Sequence, residues 1–139
     1  MSHYTHEINI NTRGKGFYEL TDEITRWTLS LSVQKGLLTV FIQHTSASLL
    51  IQENADPSVV RDLEAFFSSL VPENSSLYTH TMEGPDDMPA HIRAALTQSQ
   101  ISIPIIDGLL ALGTWQGIYL FEHRHRSHRR CLALHVSGM

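Results

Sequence analysis

Residues 101–112 read Ile-Ser-Ile-Pro-Ile-Ile-Asp-Gly-Leu-Leu-Ala-Leu. Two apolar runs of strand length, Ile101–Ile106 and Leu109–Leu112, are parted by Asp107-Gly108. That pair suits a two-residue hairpin because its central positions need positive φ. Two further strand-like runs follow, Gly117–His123 and Arg130–Val136, joined by the basic turn Arg124-His125-Arg126-Ser127-His128-Arg129. Earlier in the chain, Gly36 opens the apolar, β-branched run Leu37–His44, in which Leu38, Val40, Ile42 and His44 share one face by period two. Thr45-Ser46-Ala47-Ser48 interrupts it, and Leu49–Glu53 resumes as a strand with Leu49, Ile51 and Glu53 on one side. Tyr4–Ile10 alternates as a first strand, and the Gly- and Lys-bearing stretch Asn11–Gly16 reads as a turn able to touch a phosphate, although solvated turns of this kind are commoner.

Three helices complete the reading. Thr21 caps Asp22–Ser30, with Ile24, Trp27 and Leu31 on one face. Asp56-Pro57 supplies a cap and an N1 proline for Pro57–Leu70, whose apolar stripe is Val60, Leu63, Phe66 or Phe67, and Leu70. Asp86 or Asp87 caps a helix over Asp87–Thr97, with Met88, Ile92, Ala95 and Leu96 as its expected buried side. Strands and helices mix without a βαβ beat, so the expectation is an α+β fold: a single compact domain over residues 1–139, with a largely antiparallel sheet or sandwich and about three helices.

Composition narrows the function classes. A formal net charge of −4 argues against a general nucleic-acid binder. No apolar run approaches the roughly 20 residues that span a bilayer. The N-terminus lacks a basic-then-apolar signal pattern, and a lone cysteine, Cys131, fits a reducing compartment; both favour a cytoplasmic protein. Nine histidines, scattered rather than contiguous, are the compositional oddity.

Three of those histidines sit where chains leave a core. His44 and His123 close strand runs, and His91 lies early in a helix that follows the acid-rich stretch Glu83-Gly84-Pro85-Asp86-Asp87-Met88-Pro89-Ala90-His91. Converging imidazoles with one open position would make a zinc-type site. The competing expectation is separate buried imidazoles bonded to carboxylates such as Glu122 or Asp87. Converging acids among Glu53, Asp86 and Asp87 would hold Mg²⁺ against a phosphorylated substrate. The caps explain Asp86 and Asp87 equally well. Arginine forks at Arg124 and Arg126 suit phosphate oxygens, and Ser46 and Ser48 could donate hydrogen bonds to a ligand. No nucleophile elbow, Walker loop or dinucleotide fingerprint is present.

Gly16-Phe17 with Thr21-Asp22-Glu23-Ile24, Gln43–Leu49, Glu53–Pro57, Glu83–His91 and Gly113–Ile118 with Glu122-His123-Arg124 together resemble the YjbQ family, over essentially the whole chain. The resemblance implies an α+β domain assembled as a homotrimer, with a polar site near the subunit boundary. It also implies a secondary thiamine-phosphate synthase activity, joining hydroxymethylpyrimidine diphosphate to a thiazole phosphate with loss of pyrophosphate. Carried over by motif, His44, His91 and His123 are the expected site residues, with Glu53, Asp86 and Asp87 around them; His80 matches less firmly. Two alternatives stand beside this transferase: a metal-dependent hydrolase using three histidines with Glu53 or Asp87 as base, and a non-catalytic metal- or ligand-binding trimer.

Overall fold

Asp107 and Gly108 both adopt positive φ, 50° and 81°, as a type I′ hairpin requires. They join β5 (Gln100–Ile106) to β6 (Leu109–Leu110) in a computed structural model that describes residues 1–139. Before this hairpin come β1 (Ser2–Asn11), β2 (Gly16–Glu19), α1 (Thr21–Ser30), β3 (Lys35–Ile42), β4 (Ala47–Glu53), α2 (Pro57–Leu70) and α3 (Asp87–Leu96). After it come β7 (Gln116–Glu122) and β8 (Arg129–Gly138).

All strand pairings are antiparallel and form two sheets, one ordered β1-β8-β3-β5-β6 and the other β2-β7-β4. Period-two alternation turns Leu38, Val40 and Ile42 of β3, Ile101, Ile103 and Ile105 of β5, and Leu132, Leu134 and Val136 of β8 to one side. There they meet Leu49 of β4, Ile118 and Leu120 of β7, and Leu20 and Ile24 at α1, in one core cluster. The architecture is thus an α+β sandwich with three helices. The far face of the larger sheet is open: Leu37 and Phe41 remain 42% and 46% exposed there. Its trough, lined by Thr39, Phe41, Ala133 and His135 among others, is about 600 Å³ and holds no group of converging metal-ligating side chains.

The basic turn after β7 does not close a hairpin within one sheet. It carries the chain from the small sheet to the large one, and a buried ion pair pins the crossing. Glu122 is fully buried and accepts from Arg130 Nε (2.7 Å) and from Arg130 Nη2. Thr12, at the end of the β1 ribbon, donates its hydroxyl to the same carboxylate (2.7 Å), and the N–H groups of His123 and Arg124 donate to its other oxygen. Arg130 Nη2 also reaches the carbonyl and hydroxyl of Ser46.

Several local expectations are corrected. Thr21 does not cap α1; its hydroxyl donates to Glu19 and accepts from the Ile118 N–H, tying the helix start to β7. Gly16, expected to end a turn, instead opens β2, whose pairing partner β7 lies far away in sequence. Trp115 precedes β7 in a turn and is exposed, while Phe121 is buried and stacks on Phe17 (4.1 Å). Helix α2 has the expected limits and Asp56 cap, but none of its residues is fully buried. Helix α3 is rotated from its expected setting. It buries Asp87, Pro89, Ala90 and Arg93, and leaves Leu96 exposed.

Burial opposes the ionisation of Glu122, but the bonds from Arg130 and Thr12 and the Arg130 charge outweigh it and hold the carboxyl below its ordinary value. A depressed native pKa contributes stability above the unfolded value and loses it as pH falls, because the unfolded chain then binds more protons. Glu122→Gln, which strands the Arg130 guanidinium, is expected to lower unfolding free energy by about 3–5 kcal/mol. The wild-type denaturation midpoint should fall as pH drops below the ordinary glutamate range, and the variant should lose part of that dependence. Urea unfolding of both proteins between neutral and acid pH measures this; equal midpoints at neutral pH would contradict the role given to the pair.

Candidate functional site

The rotation of α3 places Asp87 at the centre of a polar cluster. Asp87 is 2% exposed, and its two oxygens face different partners. Oδ1 accepts from Arg124 Nη1 (2.6 Å), whereas Oδ2 lies 2.7 Å from His80 Nε2 and 3.0 Å from His91 Nε2. His91 is one helical turn after Asp87, the spacing at which side chains meet on a helix. Glu83 Oε2 stands 3.5 Å from His80 Nε2. Ligand atoms of His80, Glu83, Asp87 and His91 all lie within 4.8 Å of one another.

Arg124 holds this arrangement in place. It lies two residues beyond β7 and spends its fork on protein acceptors: Nε donates to Asp86 (3.1 Å), Nη1 to Asp87, and Nη2 to the Glu83 carbonyl (3.0 Å). Asp86 also accepts from the His125 N–H (2.9 Å), so its carboxylate is not available as a helix cap. Gly84 permits the turn, with φ 105° and Asp86 Oδ1 only 3.3 Å from where a Cβ would sit. Burial opposes the ionisation of Asp86 and Asp87, yet both carboxyls lie below their ordinary values. The N–H of His125 and Arg124 outweigh burial for Asp86; His80, His91 and Arg124 are among the groups that do so for Asp87.

The hydrogen bonds of His91 constrain its chemistry. Nδ1 lies 3.0 Å from the Thr45 carbonyl, which can only accept, so Nδ1 carries the proton. In the neutral ring Nε2 is then a bare lone pair facing a carboxylate oxygen. Two acceptors at that distance require a cation between them, either a second ring proton or a metal ion. A carbonyl that fixes the distal nitrogen is the usual support of a metal-ligating imidazole.

The three-histidine site is not what the structure assembles. His44 and His91 line one cleft of about 310 Å³ with Thr45, Ala47 and Ser99. Nε2 of His44, however, accepts from the Cys131 N–H (2.8 Å), and burial and the Arg130 charge lower its pKa. His123 is fully buried, with Nε2 2.9 Å from Ser48 Oγ, and belongs to no ligand group. Burial, aided by the charges of Arg93, Lys15 and Arg130, pushes its pKa down to about 3. Glu53 is also remote: its carboxylate accepts the N–H groups of Ala55 and Asp56 before α2. Ser46 serves Arg130, and Ser48 is buried between His123 and Thr97, so neither presents a hydroxyl to a ligand. Arg126 is exposed on the turn, away from the acids. His80, the least securely matched of the histidines, is the one that joins His91; no periodicity marks it, only its position shortly before the acid-rich stretch.

The family model described as UPF0047 protein YjbQ-like matches residues 6–139. The chain belongs to the YjbQ (UPF0047) family. Members similar to it include UPF0047 protein sll1880 of Synechocystis, 54% identical over 93% of this chain and 88% of its own, and YjbQ of Escherichia coli O157:H7, 42% identical over 94% and 95%. Among solved structures, a YjbQ/UPF0047-family protein of Clostridium acetobutylicum superposes with a TM-score of 0.87 at 34% identity, covering 95% of this chain and 99% of that one. A YjbQ-like protein of Sulfolobus solfataricus shares the fold at the same TM-score with 18% identity.

The hydrogen bond to Asp87 raises the pKa of the exposed His80 ring above its ordinary value, against a smaller opposing effect of desolvation. Asp87→Asn should return His80 toward the free histidine value. A titration of the ring by NMR checks this, and an unmoved His80 in the variant would show that Asp87 is not its partner in solution.

Proposed function

We propose that this protein is a divalent-metal-dependent enzyme acting on phosphorylated small molecules, and that its reaction is the thiamine-phosphate synthesis implied by the family resemblance. The observation that carries the metal reading is His91. Its Nδ1 is committed to a carbonyl, and its Nε2 faces Asp87 beside His80 and Glu83, where a metal ion or a second ring proton must lie between nitrogen and carboxylate. Two imidazoles and two carboxylates form a mixed N/O donor set, which fits Zn²⁺ or Mn²⁺ better than Mg²⁺. When bound there, the ion would supply positive charge for a departing pyrophosphate.

The chain's own residues would do the rest. Arg124 neutralises and positions Asp86 and Asp87, so it acts on substrate only through them; it is a clamp, not the phosphate fork expected from its place in the sequence. His80 borders a cleft of about 280 Å³ lined by Asn74, Ser75, Tyr78, Gly84 and Met88, and His91 borders the one that holds His44. Two clefts flanking one polar cluster favour joining two substrates over hydrolysing one. In that reaction the thiazole nitrogen forms a bond to the pyrimidine methylene carbon as the carbon–oxygen bond to pyrophosphate breaks.

The homotrimer belongs to the same proposal. The open face of the five-stranded sheet, with Leu37 and Phe41 unpartnered, gives copies of the chain an apolar surface to share. Phe121 is committed inside the chain and has no part in it.

Three experiments test these readings. Metal-depleted protein titrated with Zn²⁺ and Mn²⁺ should bind one ion per chain, and Asp87→Asn or His91→Gln should weaken binding at least tenfold. The metal-loaded protein should form thiamine phosphate and pyrophosphate from the two precursors; no product above a protein-free control would remove the transferase reading while leaving the metal site standing. Light scattering should give three times the 15.7 kDa chain mass, and the monomer mass at micromolar concentration would end the trimer.

A further inference from the structure

In the whole chain only two buried side-chain nitrogens lack a hydrogen-bond partner: Arg93 Nε and His123 Nδ1. They belong to residues that are 2% and 0% exposed, and they occur in one neighbourhood. Arg93 lines a small cavity of about 60 Å³ together with Lys15, Gly16, Glu64, Phe67, Ser68 and Phe121. His123 packs edge-on against Phe121 (4.3 Å between centroids), and the charges of Arg93 and Lys15 act on its ring more strongly than that of Arg130.

The two cations are unpaired. Neither Lys15, half-buried, nor Arg93, buried, makes an ion pair within 4.0 Å, whereas the other buried charges, Asp86, Asp87, Glu122 and Arg130, each have one. Arg93 uses only Nη2, donating to the Val71 carbonyl (2.9 Å). Lys15 has no hydrogen bond, and burial together with the Arg93 charge lowers its pKa. Glu73, held by His125 at 2.6 Å, and Asp86 attract both cations from a distance, and Glu64 on the rim attracts Lys15, none of them within ion-pair distance. A guanidinium withdrawn from water with an unspent Nε donor is costly, and with the half-buried Lys15 ammonium beside it an anion would supply the missing acceptors.

We propose that the cavity between Lys15 and Arg93, separated from the His123 ring by Phe121, is a binding site for a small oxyanion of the phosphate class. A dianion matches the two fixed positive charges, whereas a carboxylate would leave one of them uncompensated. Arg93 Nε offers an unspent donor, of the charge-assisted kind that phosphate oxygens accept well. The turn Asn11–Gly16 supplies Lys15 from the rim, and α3 supplies Arg93 from the side opposite His91, since the two positions are about 200° apart around the helix. The site therefore stands apart from the His80–His91 cluster and does not depend on metal being held there.

The test uses metal-depleted full-length protein, so that its outcome is separate from the metal reading. Inorganic phosphate, methyl phosphate and acetate are titrated in turn, while the ring nitrogens of His123 and the Nε–H of Arg93 are followed by NMR. The expected result is a saturable shift at both residues with either phosphate compound, and acetate at least tenfold weaker. Tighter binding of methyl phosphate would identify the site as the anchor for a phosphate ester; tighter binding of inorganic phosphate would identify the free ion as its ligand. Lys15→Met, at a half-buried loop position without hydrogen bonds, should fold normally and bind phosphate about ten- to a hundredfold more weakly, the equivalent of one charge-assisted bond. Three results would overturn the proposal: no shift at either residue with phosphate, acetate binding as tightly as phosphate, or unchanged phosphate affinity in Lys15→Met.

Discussion

The Glu122–Arg130 pair is the constraint from which the rest of the molecule is arranged. Two sheets can pack face to face through apolar contacts alone, and such contacts tolerate sliding. A carboxylate without water tolerates none, because each oxygen must find its donors. Glu122 takes them from β8, from Thr12 beyond β1 and from the backbone that follows β7, and Arg130 in turn holds the β3–β4 connection through Ser46. The pair thus fixes where the chain leaves β7. The next residue but one, Arg124, is delivered to the acids that open α3.

That delivery explains why α3 turns a charged side inward. On hydropathy, Met88, Ile92 and Leu96 are the face to bury, and an isolated amphipathic helix would bury them. Arg124 changes the balance by giving Asp86 and Asp87 a bidentate partner away from solvent. Once Asp87 is inside, Ala90 and Arg93 follow at helical spacing, and Leu96 is left exposed. The polar cluster and the unpaired Arg93 are two consequences of one helix rotation.

The parts of the fold that were legible in the sequence are those whose cause is local. Asp107-Gly108 specifies its own turn, Asp56-Pro57 its own helix start, and the Leu38–Val40–Ile42 alternation its own buried face. What was not legible depends on partners far along the chain. β2 exists through its register with β7, Thr21 is diverted from capping by Glu19 and Ile118, and Asp87 is buried by a residue 37 positions away. The site followed the same division. The acid-rich stretch announced Asp86, Asp87 and His91, but strand ends and family motifs placed His44 and His123 beside them. A strand end says where a side chain leaves the core, not which neighbour it meets, and His123 met Ser48. His80 had no pattern to mark it because its position is set by a loop.

Helix α2 has a consequence for motion. Its cap is sound, but no residue along its 14 positions is fully buried, and Phe66 and Leu70 stand more than half exposed. An element attached by its ends and by partial contacts opens at a small fraction of the global unfolding free energy, so its amides exchange with solvent long before those of β3 or β8. One side of α2, through Glu64, Phe67 and Ser68, is also a wall of the Lys15–Arg93 cavity. The least tightly held helix of the molecule is thus the one whose excursions expose its most cationic interior to water.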